Sequence, residues 1–205
     1  MSDNGSVFSN AAVVSGYAAE TPRKVPGLSD LHRMIMLLLS EHAKADAHIL
    51  VVGAGGGMEL RAMAEAQPGW HFTGVDPSAE MLALAREHTE PFAQRMSLIE
   101  GTVDAAPETV FAGACCLLTL HFLDRVTRLA TLKAIHSRLQ HGAKLVVAHH
   151  CAVGGQAEPW LARSAAFADR NGGDWERAAG SARTMAESLP LLTEVEEEAL
   201  IREAG

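Results

Sequence analysis

The sequence contains few cysteines and few aromatic residues, and each shortage argues against a class of function. Its 205 residues include three cysteines, Cys115, Cys116 and Cys151, whose spacing gives neither a metal motif nor a disulfide framework. We therefore expect reduced, buried thiols. With one tyrosine, three tryptophans and six phenylalanines, the chain also has little material for a platform on which nucleic-acid bases could stack.

Basic residues and long apolar runs are scarce as well. The chain has 17 lysines and arginines against 25 aspartates and glutamates, and the formal net charge of −8 would repel a polyanion at long range. No run approaches about 18 uninterrupted apolar residues, and "MSDNGSVFSN" lacks the basic head and apolar body of a signal peptide. We expect a cytoplasmic protein with no membrane segment and no direct signal for nucleic-acid binding.

Apolar residues make up 48% of the chain, which suits one domain with a buried core. After an irregular lead-in of about 25 residues that ends in a turn at Pro26-Gly27, helical and strand patterns alternate. The patterns predict strands at 48–52, 71–75, 96–100, 110–120 and 143–150, and helices at 28–43, 58–67, 79–87 and 125–140. This alternation predicts an α/β fold with a doubly wound, mostly parallel sheet and helices on both faces.

The character of the sequence changes after residue 150. Residues 151–190 contain two helical patterns with glycine pairs, and we interpret them as an insertion over the sheet's C-terminal edge. Trp160, Phe167 and Trp175 are candidates for a lid over a small substrate, although aromatic residues on helices more often belong to a core. A last helix begins near Thr193, which forms a capping box with Glu196. The single domain thus comprises a lead-in and helix (1–44), a core (45–150), and an insertion with the last helix (151–205).

The stretch "HILVVGAGGGMEL" is the strongest local signal. A strand that ends in a glycine-rich turn and enters a helix places backbone N–H groups at the sheet's C-terminal edge, where a nucleotide-like ligand can bind. Gly53, Gly55 and Gly57 give G-x-G-x-G, but Met58 occupies the position where a dinucleotide site needs a small residue. The next strand ends in Asp76, whose carboxylate can accept both hydrogen bonds from a ribose diol. The glycine stretch could instead be only a tight turn, and Asp76 could instead only cap the helix 79–87. Taken together, the glycine stretch and Asp76 predict a ribosyl ligand other than NAD.

Five segments resemble successive motifs of the class I S-adenosylmethionine (SAM)-dependent methyltransferases: "ILVVGAGGGMEL", "FTGVDPSAEMLALAR", "LIEGTV", "LLTLHFL" and "RLQHGAKLVVA". The resemblance covers about residues 45–150 and implies a Rossmann-like sheet. It implies SAM as cofactor, S-adenosylhomocysteine (SAH) as product, and a small-molecule or unknown methyl acceptor. The cofactor-binding residues that it implies are Gly53, Ala54, Gly55, Gly57, Asp76, Pro77, Met81, Thr102, Val103, Leu117 and Leu118.

The resemblance also implies a role for each of these residues. The glycine turn would wrap the methionine part and the sugar, and Asp76 would hold the ribose hydroxyls. Pro77 and Met81 would flank the adenine, Thr102 with Val103 would line its edge, and residues 117–118 would face the methionine part. Where the family often has carboxylates, this chain has Val51 and Thr102. A non-catalytic SAM-binding protein is therefore an alternative to an enzyme.

A narrower resemblance extends through "RKVPGLSDLHRMIMLL" and "SARTMAESLPLLTEVEEEALIREAG" to the branch that contains the carboxy-S-adenosylmethionine synthase of tRNA wobble-uridine modification. This narrower resemblance implies that Arg183 binds the additional carboxylate of the ligand. Two further ligand positions of that enzyme are apolar here, Leu28 and Leu117. We therefore expect a plain methyltransferase of this branch. A carboxy-SAM synthase-like enzyme is the alternative, and Arg183 could equally be an exposed helix residue.

Methyl transfer needs a general base only when the acceptor keeps its proton. His121, at the end of the fourth predicted strand, is the candidate catalytic base. The alternative is that His121 only forms part of the pocket wall. His149 and His150 are adjacent on a predicted strand and should point to opposite faces, so we expect no metal site.

The fold of the resembling family closes with an antiparallel strand pair that follows a helix like 193–204, and this sequence stops at Gly205. Without that hairpin the strand 143–150 would be an open apolar edge, which tends to pair with other chains. We therefore expect either a fragment of a longer protein, or an edge covered by a second chain, as in a homodimer, or by residues 151–190.

Overall fold

The structure is a computed structural model that describes residues 11–169 and 173–205. Its sheet has five strands, all paired in parallel in the order β3-β2-β1-β4-β5. The strands are β1 His48–Val52, β2 His71–Asp76, β3 Met96–Glu100, β4 Phe111–Leu117 and β5 Leu139–Ala148. The order reverses between β1 and β4, and ligands of such folds bind at the carboxyl ends of the strands near this point. The predicted doubly wound α/β architecture is confirmed.

Eight α-helices lie within the described residues. They are α1 Ala11–Lys24, α2 Leu28–Ser40, α3 Met58–Ala66, α4 Ala79–His88, α5 Arg125–His136, α6 Glu158–Ala168, α7 Trp175–Ser188 and α8 Glu194–Ala204. None of these helices combines the length and the apolar character needed to cross a membrane.

Two apolar layers cover the faces of the sheet because the central strands are buried on both sides. Val51, Cys115 and Leu117 pack in the layer beneath α2 and α3, whereas Leu50 and Cys116 pack in the layer beneath α5 and α8. Cys115 and Cys116 are fully buried, as expected, and burial raises the pKa of the Cys116 thiol to about 12. Successive residues of one strand therefore fill opposite halves of the core.

The lead-in is helical, so the prediction of an irregular segment was wrong for residues 11–24. Alanine-rich sequence favours the helix, and Pro22 is tolerated near its end. The predicted first helix 28–43 ends earlier, at Ser40. The part of the lead-in before residue 11 lies outside the described residues.

The helix predicted for residues 125–140 ends at His136 instead. The chain then enters β5, where Leu139 pairs with Phe111 before an irregularity brings Lys144 opposite Gly113. The Phe111 N–H donates to Arg138 O at 2.7 Å, so strand pairing competes successfully with the last helical turn. β5 is consequently longer than the predicted strand.

The predicted capping box at the start of α8 is confirmed. Thr193 Oγ1 accepts from the Glu196 N–H at 3.3 Å, and the Thr193 N–H donates to Glu196 Oε2 at 2.8 Å. β5 lies at the edge of the sheet, and the described residues contain no antiparallel strand. α6 and α7 pack on each other, and α6 packs on α1, with no extensive contact to β5. Coverage of the open edge by the described part of residues 151–190 therefore finds no support.

Candidate functional site

The glycine turn between β1 and α3 can be built only with glycine at two positions. Gly53 has φ +74°, and a Cβ there would lie 2.0 Å from Thr119 Oγ1. Gly57 has φ +75°, and its Cβ would lie 3.0 Å from Cα and Cβ of Ala85 in α4. The turn therefore approaches the end of β4 on one side and α4 on the other more closely than any side chain allows.

Asp76 joins this turn to the end of β2. Its Oδ2 accepts from the Gly55 N–H at 2.8 Å, and its Oδ1 accepts from the Ser78 N–H at 2.9 Å. The residue is 9% exposed, and burial raises its pKa although both hydrogen bonds lower it. Ser78, rather than Asp76, caps α4 by accepting from the Met81 N–H at 3.1 Å. Because a carboxylate can accept about four hydrogen bonds, Asp76 keeps capacity for a ligand.

A cavity of about 310 Å³ opens where β1, β2 and β4 end. Its size and position suit a small ligand at the reversal of strand order. Most of the sequence-predicted cofactor residues line it: Gly53, Ala54, Gly55, Asp76, Pro77, Met81, Leu117 and Leu118.

Three other predicted cofactor residues lie outside the cavity lining. Gly57 is buried against α4. Val103 is 2% exposed and packs into the core beneath α5, while Thr102 is exposed. A short 3₁₀ helix, Val103–Ala105, follows β3. Neither Thr102 nor Val103 lines the cavity, and their contacts with the adenine stay a prediction.

His121 and Arg183 also lie outside the lining. His121 is 4% exposed, and its ring centroid lies 5.1 Å from that of His150 and 6.4 Å from that of His149. Burial, with the neighbouring histidines and Arg128, lowers its pKa to about 3. Arg183 is exposed on α7. Neither residue lines the cavity, and their roles stay predictions.

The two adjacent histidines are arranged differently from the prediction. β5 ends at Ala148, so His149 and His150 follow the strand, and both rings lie near His121. His149 Nε2 lies 3.0 Å from Glu197 Oε1. Among residues 11–169 and 173–205, no group of three or more His, Cys, Asp or Glu side chains could hold a metal ion.

Two helices that precede the sheet supply cavity residues that sequence reasoning missed. Tyr17 and Thr21 of α1 and His32 of α2 line the cavity. Tyr17 lies over the glycine turn, since a Cβ on Gly56 would be 3.0 Å from its Cδ1. Burial raises the Tyr17 pKa to about 12, and Glu59 and Asp76 add to that shift. Burial lowers the His32 pKa, so this ring is neutral near pH 7.

Glu59, in the first turn of α3, is a further cavity residue that the sequence did not single out. Burial raises its pKa to about 8, and the charge of Asp76 adds to the shift, while its own backbone N–H lowers it. The cavity thus contains two carboxyl groups in unlike surroundings.

Leu118 brings backbone strain to the wall of the cavity. Its φ of +51° makes it the only non-glycine residue with positive φ among the described residues. The left-handed conformation costs about 1–2 kcal/mol for such a residue. The Leu118 N–H donates to Ala148 O at 2.6 Å, and Thr119 Oγ1 donates to Leu117 O at 2.8 Å. These bonds hold the strained turn, and strain of this kind is typical of functional sites.

Comparison with known proteins agrees with this geometry. A family model described as a methyltransferase domain matches residues 49–142, which run from β1 into β5. The chain therefore has the Rossmann-like fold of the SAM-dependent methyltransferases. The glycine turn, Asp76 and the end of β4 all fall within the matched part of this methyltransferase domain.

Curated relatives belong to one enzyme group. The carboxy-S-adenosyl-L-methionine synthase of Chromohalobacter salexigens is 31% identical to this chain over 158 residues, which cover 73% of this chain and 57% of the relative. The synthase of Aeromonas salmonicida is 27% identical over 139 residues, covering 66% and 56%. The chain thus spans a little over half the length of these curated relatives.

Solved methyltransferase-like structures share the fold. PigF with SAH superposes with a TM-score of 0.72 at 17% identity, covering all of this chain (100%) and 57% of PigF. SAM-bound CalS10, an amino pentose methyltransferase from Micromonospora echinaspora, has a TM-score of 0.55 at 27% identity, with 65% and 55% covered. At 17% identity the likeness to PigF concerns the fold alone.

Proposed function

We propose that this chain binds SAM in the cavity beside the glycine turn and transfers its methyl group to a small-molecule acceptor. The observation that carries the proposal is the hydrogen bond between Gly55 and Asp76, because it fixes the turn and a carboxylate on the same wall of the cavity. The free lone pairs of Asp76 would accept the ribose hydroxyls. Pro77 and Met81 line the cavity and would offer an apolar surface for the adenine, and Leu117 with Leu118 would border the methionine part.

SAM supplies an electrophilic methyl carbon: the acceptor's lone pair forms the new bond as the carbon–sulfur bond breaks, and SAH leaves with that electron pair. The protein's part is to hold the acceptor in line and to exclude water. Tyr17, Phe122 and Leu123 line the cavity and contribute large side chains to its walls. These residues would restrict the acceptor to a small molecule that fits the remaining space.

His32 is the residue best placed to receive a proton from the acceptor. It is the only histidine among the described residues that line the cavity, and burial keeps it neutral near pH 7 by lowering its pKa. A neutral imidazole can accept the proton of a hydroxyl acceptor during methyl transfer, or the proton that an ammonium group must lose before its nitrogen lone pair can attack. His121 does not line the cavity, so His32 replaces it as the proposed base.

A carboxy-SAM synthase-like activity is the second candidate, and the identity to the Chromohalobacter enzyme favours it. The composition of the cavity argues against this activity. The described residues that line the cavity include no lysine and no arginine, and Arg183 is exposed on α7. An additional ligand carboxylate would have no cationic partner there. A non-catalytic SAM-binding protein is the third candidate, because Val51 and Thr102 replace carboxylates. A cytoplasmic location and a homodimer stay predictions from the sequence.

The test is a methyl-transfer assay with SAM that carries a deuterated methyl group, a panel of small acceptors and the purified chain. We expect SAH to form together with an acceptor product that carries the labelled methyl group. Carboxy-SAM, supplied in parallel, should bind more weakly than SAM because its extra carboxylate lacks a partner. SAM binding without SAH formation across the panel would favour the non-catalytic candidate, and tighter binding of carboxy-SAM would favour the second candidate.

A further inference from the structure

Glu59 is a cavity carboxyl group that the mechanism above does not use. It lies in the first turn of α3 and borders the cavity beside Gly53, Ala54 and Gly55. Among the described lining residues, only Glu59 and Asp76 carry carboxyl groups. Asp76 already accepts two backbone N–H groups, whereas none of the described ion pairs involves Glu59.

The groups that face Glu59 offer it no positive charge. The charge of Asp76, on β2, disfavours the ionised form of Glu59. An ionised Glu59 in turn raises the pKa of three neighbours, the thiols of Cys115 and Cys116 on β4 and the phenol of Tyr17. His32 of α2 lines the same cavity but is neutral near pH 7 because burial lowers its pKa. Among the described residues, the backbone N–H of Glu59 is the one group that favours the Glu59 carboxylate. A partly buried carboxyl group among such neighbours is suited to a cationic ligand group.

We propose that Glu59 accepts the hydrogen bonds of the ammonium group in the methionine part of SAM. The inference rests on the proposed function. Of the two cationic centres in SAM, the sulfonium has no N–H group and must face the acceptor, whereas the ammonium has three donors that need acceptors when they are buried. Glu59 lines the cavity with Gly53, whose backbone lies against Thr119 just after β4, where Leu117 and Leu118 would border the methionine part. Asp76, at the end of β2, lies on the ribose side.

Binding should then release a proton. Without a cationic ligand group beside it, burial raises the pKa of Glu59 to about 8, so the group is mostly protonated at pH 6.5. A neighbouring ammonium favours the ionised carboxylate and lowers this pKa. Below pH 8 the complex therefore holds fewer protons than the free protein, and affinity should rise with pH, by up to about tenfold per pH unit.

The experiment is isothermal titration calorimetry at pH 6.5 in buffers with different ionisation enthalpies. SAM and SAH carry the ammonium group, whereas 5′-methylthioadenosine has the adenosine and thioether without it. For the wild type we expect release of about one proton with SAM and SAH and none with 5′-methylthioadenosine. Glu59→Gln should remove the proton release and weaken SAM and SAH about 10- to 100-fold, while leaving 5′-methylthioadenosine within about threefold. Glu65→Gln, an exposed carboxyl on the same helix, is the matched control.

Several outcomes would overturn the inference. Undiminished proton release in Glu59→Gln would assign the proton to another group, such as Asp76. A loss confined to SAM would point to the sulfonium, and an equal loss for 5′-methylthioadenosine would point to a general change of the cavity. A lower unfolding temperature with unchanged affinities would mean that Glu59 only stabilises the start of α3. Failure of the wild type to bind any of the three ligands would instead reject the proposed function.

Discussion

Gly55 and Asp76 lie 21 positions apart in the sequence, yet the Gly55 N–H donates to Asp76 Oδ2 at 2.8 Å. This bond links the turn after β1 to the end of β2, two neighbouring parallel strands. Because Asp76 also accepts from Ser78, one side chain orders the turn, the start of α4 and the wall of the cavity.

Replacement of Asp76 should weaken ligand binding more than it weakens the fold. In Asp76→Asn the side chain keeps its shape but loses one acceptor, so the ribose hydroxyls and the Gly55 N–H cannot both be satisfied. We expect SAM and SAH affinities to fall about 10- to 100-fold, with a loss of about 1–2 kcal/mol in the free energy of unfolding. Calorimetry and urea unfolding measure the two effects, and Asp104→Asn, an exposed acid, should change neither. Unchanged affinity in Asp76→Asn would contradict a role in ribose binding.

Substitution by alanine should lower the free energy of unfolding at one glycine and raise it at another. Gly57→Ala places a Cβ 3.0 Å from Ala85 and imposes a left-handed φ on alanine, so we expect a loss of about 1–3 kcal/mol in stability. Gly180 lies inside α7, where a Cβ would meet no other atom within 4 Å, and Gly180→Ala should add about 0.5–1 kcal/mol. Chemical unfolding of both variants is the check. An unchanged free energy of unfolding in Gly57→Ala would show that α4 can move away from the turn.

Glu59 should make stability fall as pH rises. Its pKa is raised from 4.5 to about 8 in the folded protein, so between these values the folded state binds more protons than the unfolded state. Its contribution is therefore fully present below pH 4.5 and declines up to pH 8, by at most about 1.4 kcal/mol per pH unit. Glu59→Gln removes the titration and should exceed the wild type in stability at pH 8. Parallel pH profiles of urea unfolding for the two proteins would contradict this.

Arg128 and Glu197 form a buried ion pair between α5 and α8. Arg128 also donates to the carbonyl oxygens of Leu123 and Pro190, both at 2.9 Å. Arg128→Met leaves Glu197 buried without this partner, and we expect a loss of about 3–5 kcal/mol. The double variant Arg128→Met with Glu197→Leu should recover most of that loss, because no uncompensated charge remains. If the double variant is as unstable as the single one, the bonds to the carbonyl groups carry the stabilisation.

His32 should affect turnover rather than cofactor binding. If it takes the acceptor's proton, His32→Gln should lower the rate of SAH formation with a hydroxyl acceptor about 100-fold or more. SAM affinity should stay within about threefold. His42→Gln, an exposed histidine just beyond α2, is the control. An unchanged rate would leave His32 as a wall of the cavity.

The sequence was sufficient for the features that local chemistry determines. The β1 run and the glycine turn indicate a strand that enters a helix, and Asp76 follows the next strand, so parallel pairing alone brings both to one edge. His121 shows the limit of this reasoning: it follows β4, but Leu118 turns the chain through a left-handed conformation, and the alternation of side chains in the strand no longer applies. The buried position of His121 could not be predicted from spacing.

Glu59, His32 and Tyr17 were missed for a different reason. Each lies on a helix, where nothing in the local pattern distinguishes a cavity residue from a surface or core residue. The positions of Tyr17 and His32 depend on how α1 and α2 pack beside the cavity, and Glu59 lies there because α3 begins at the glycine turn. The sequence predicts an irregular segment where α1 lies. Tertiary packing, rather than propensity, makes these residues part of the site.

The central claim is that the cavity binds SAM, and calorimetric titration of the purified chain with SAM tests it most directly. We expect one SAM bound per chain, competition by SAH, and no heat from NAD. Absence of heat with both SAM and SAH, from a chain whose folding has been verified, would contradict the claim.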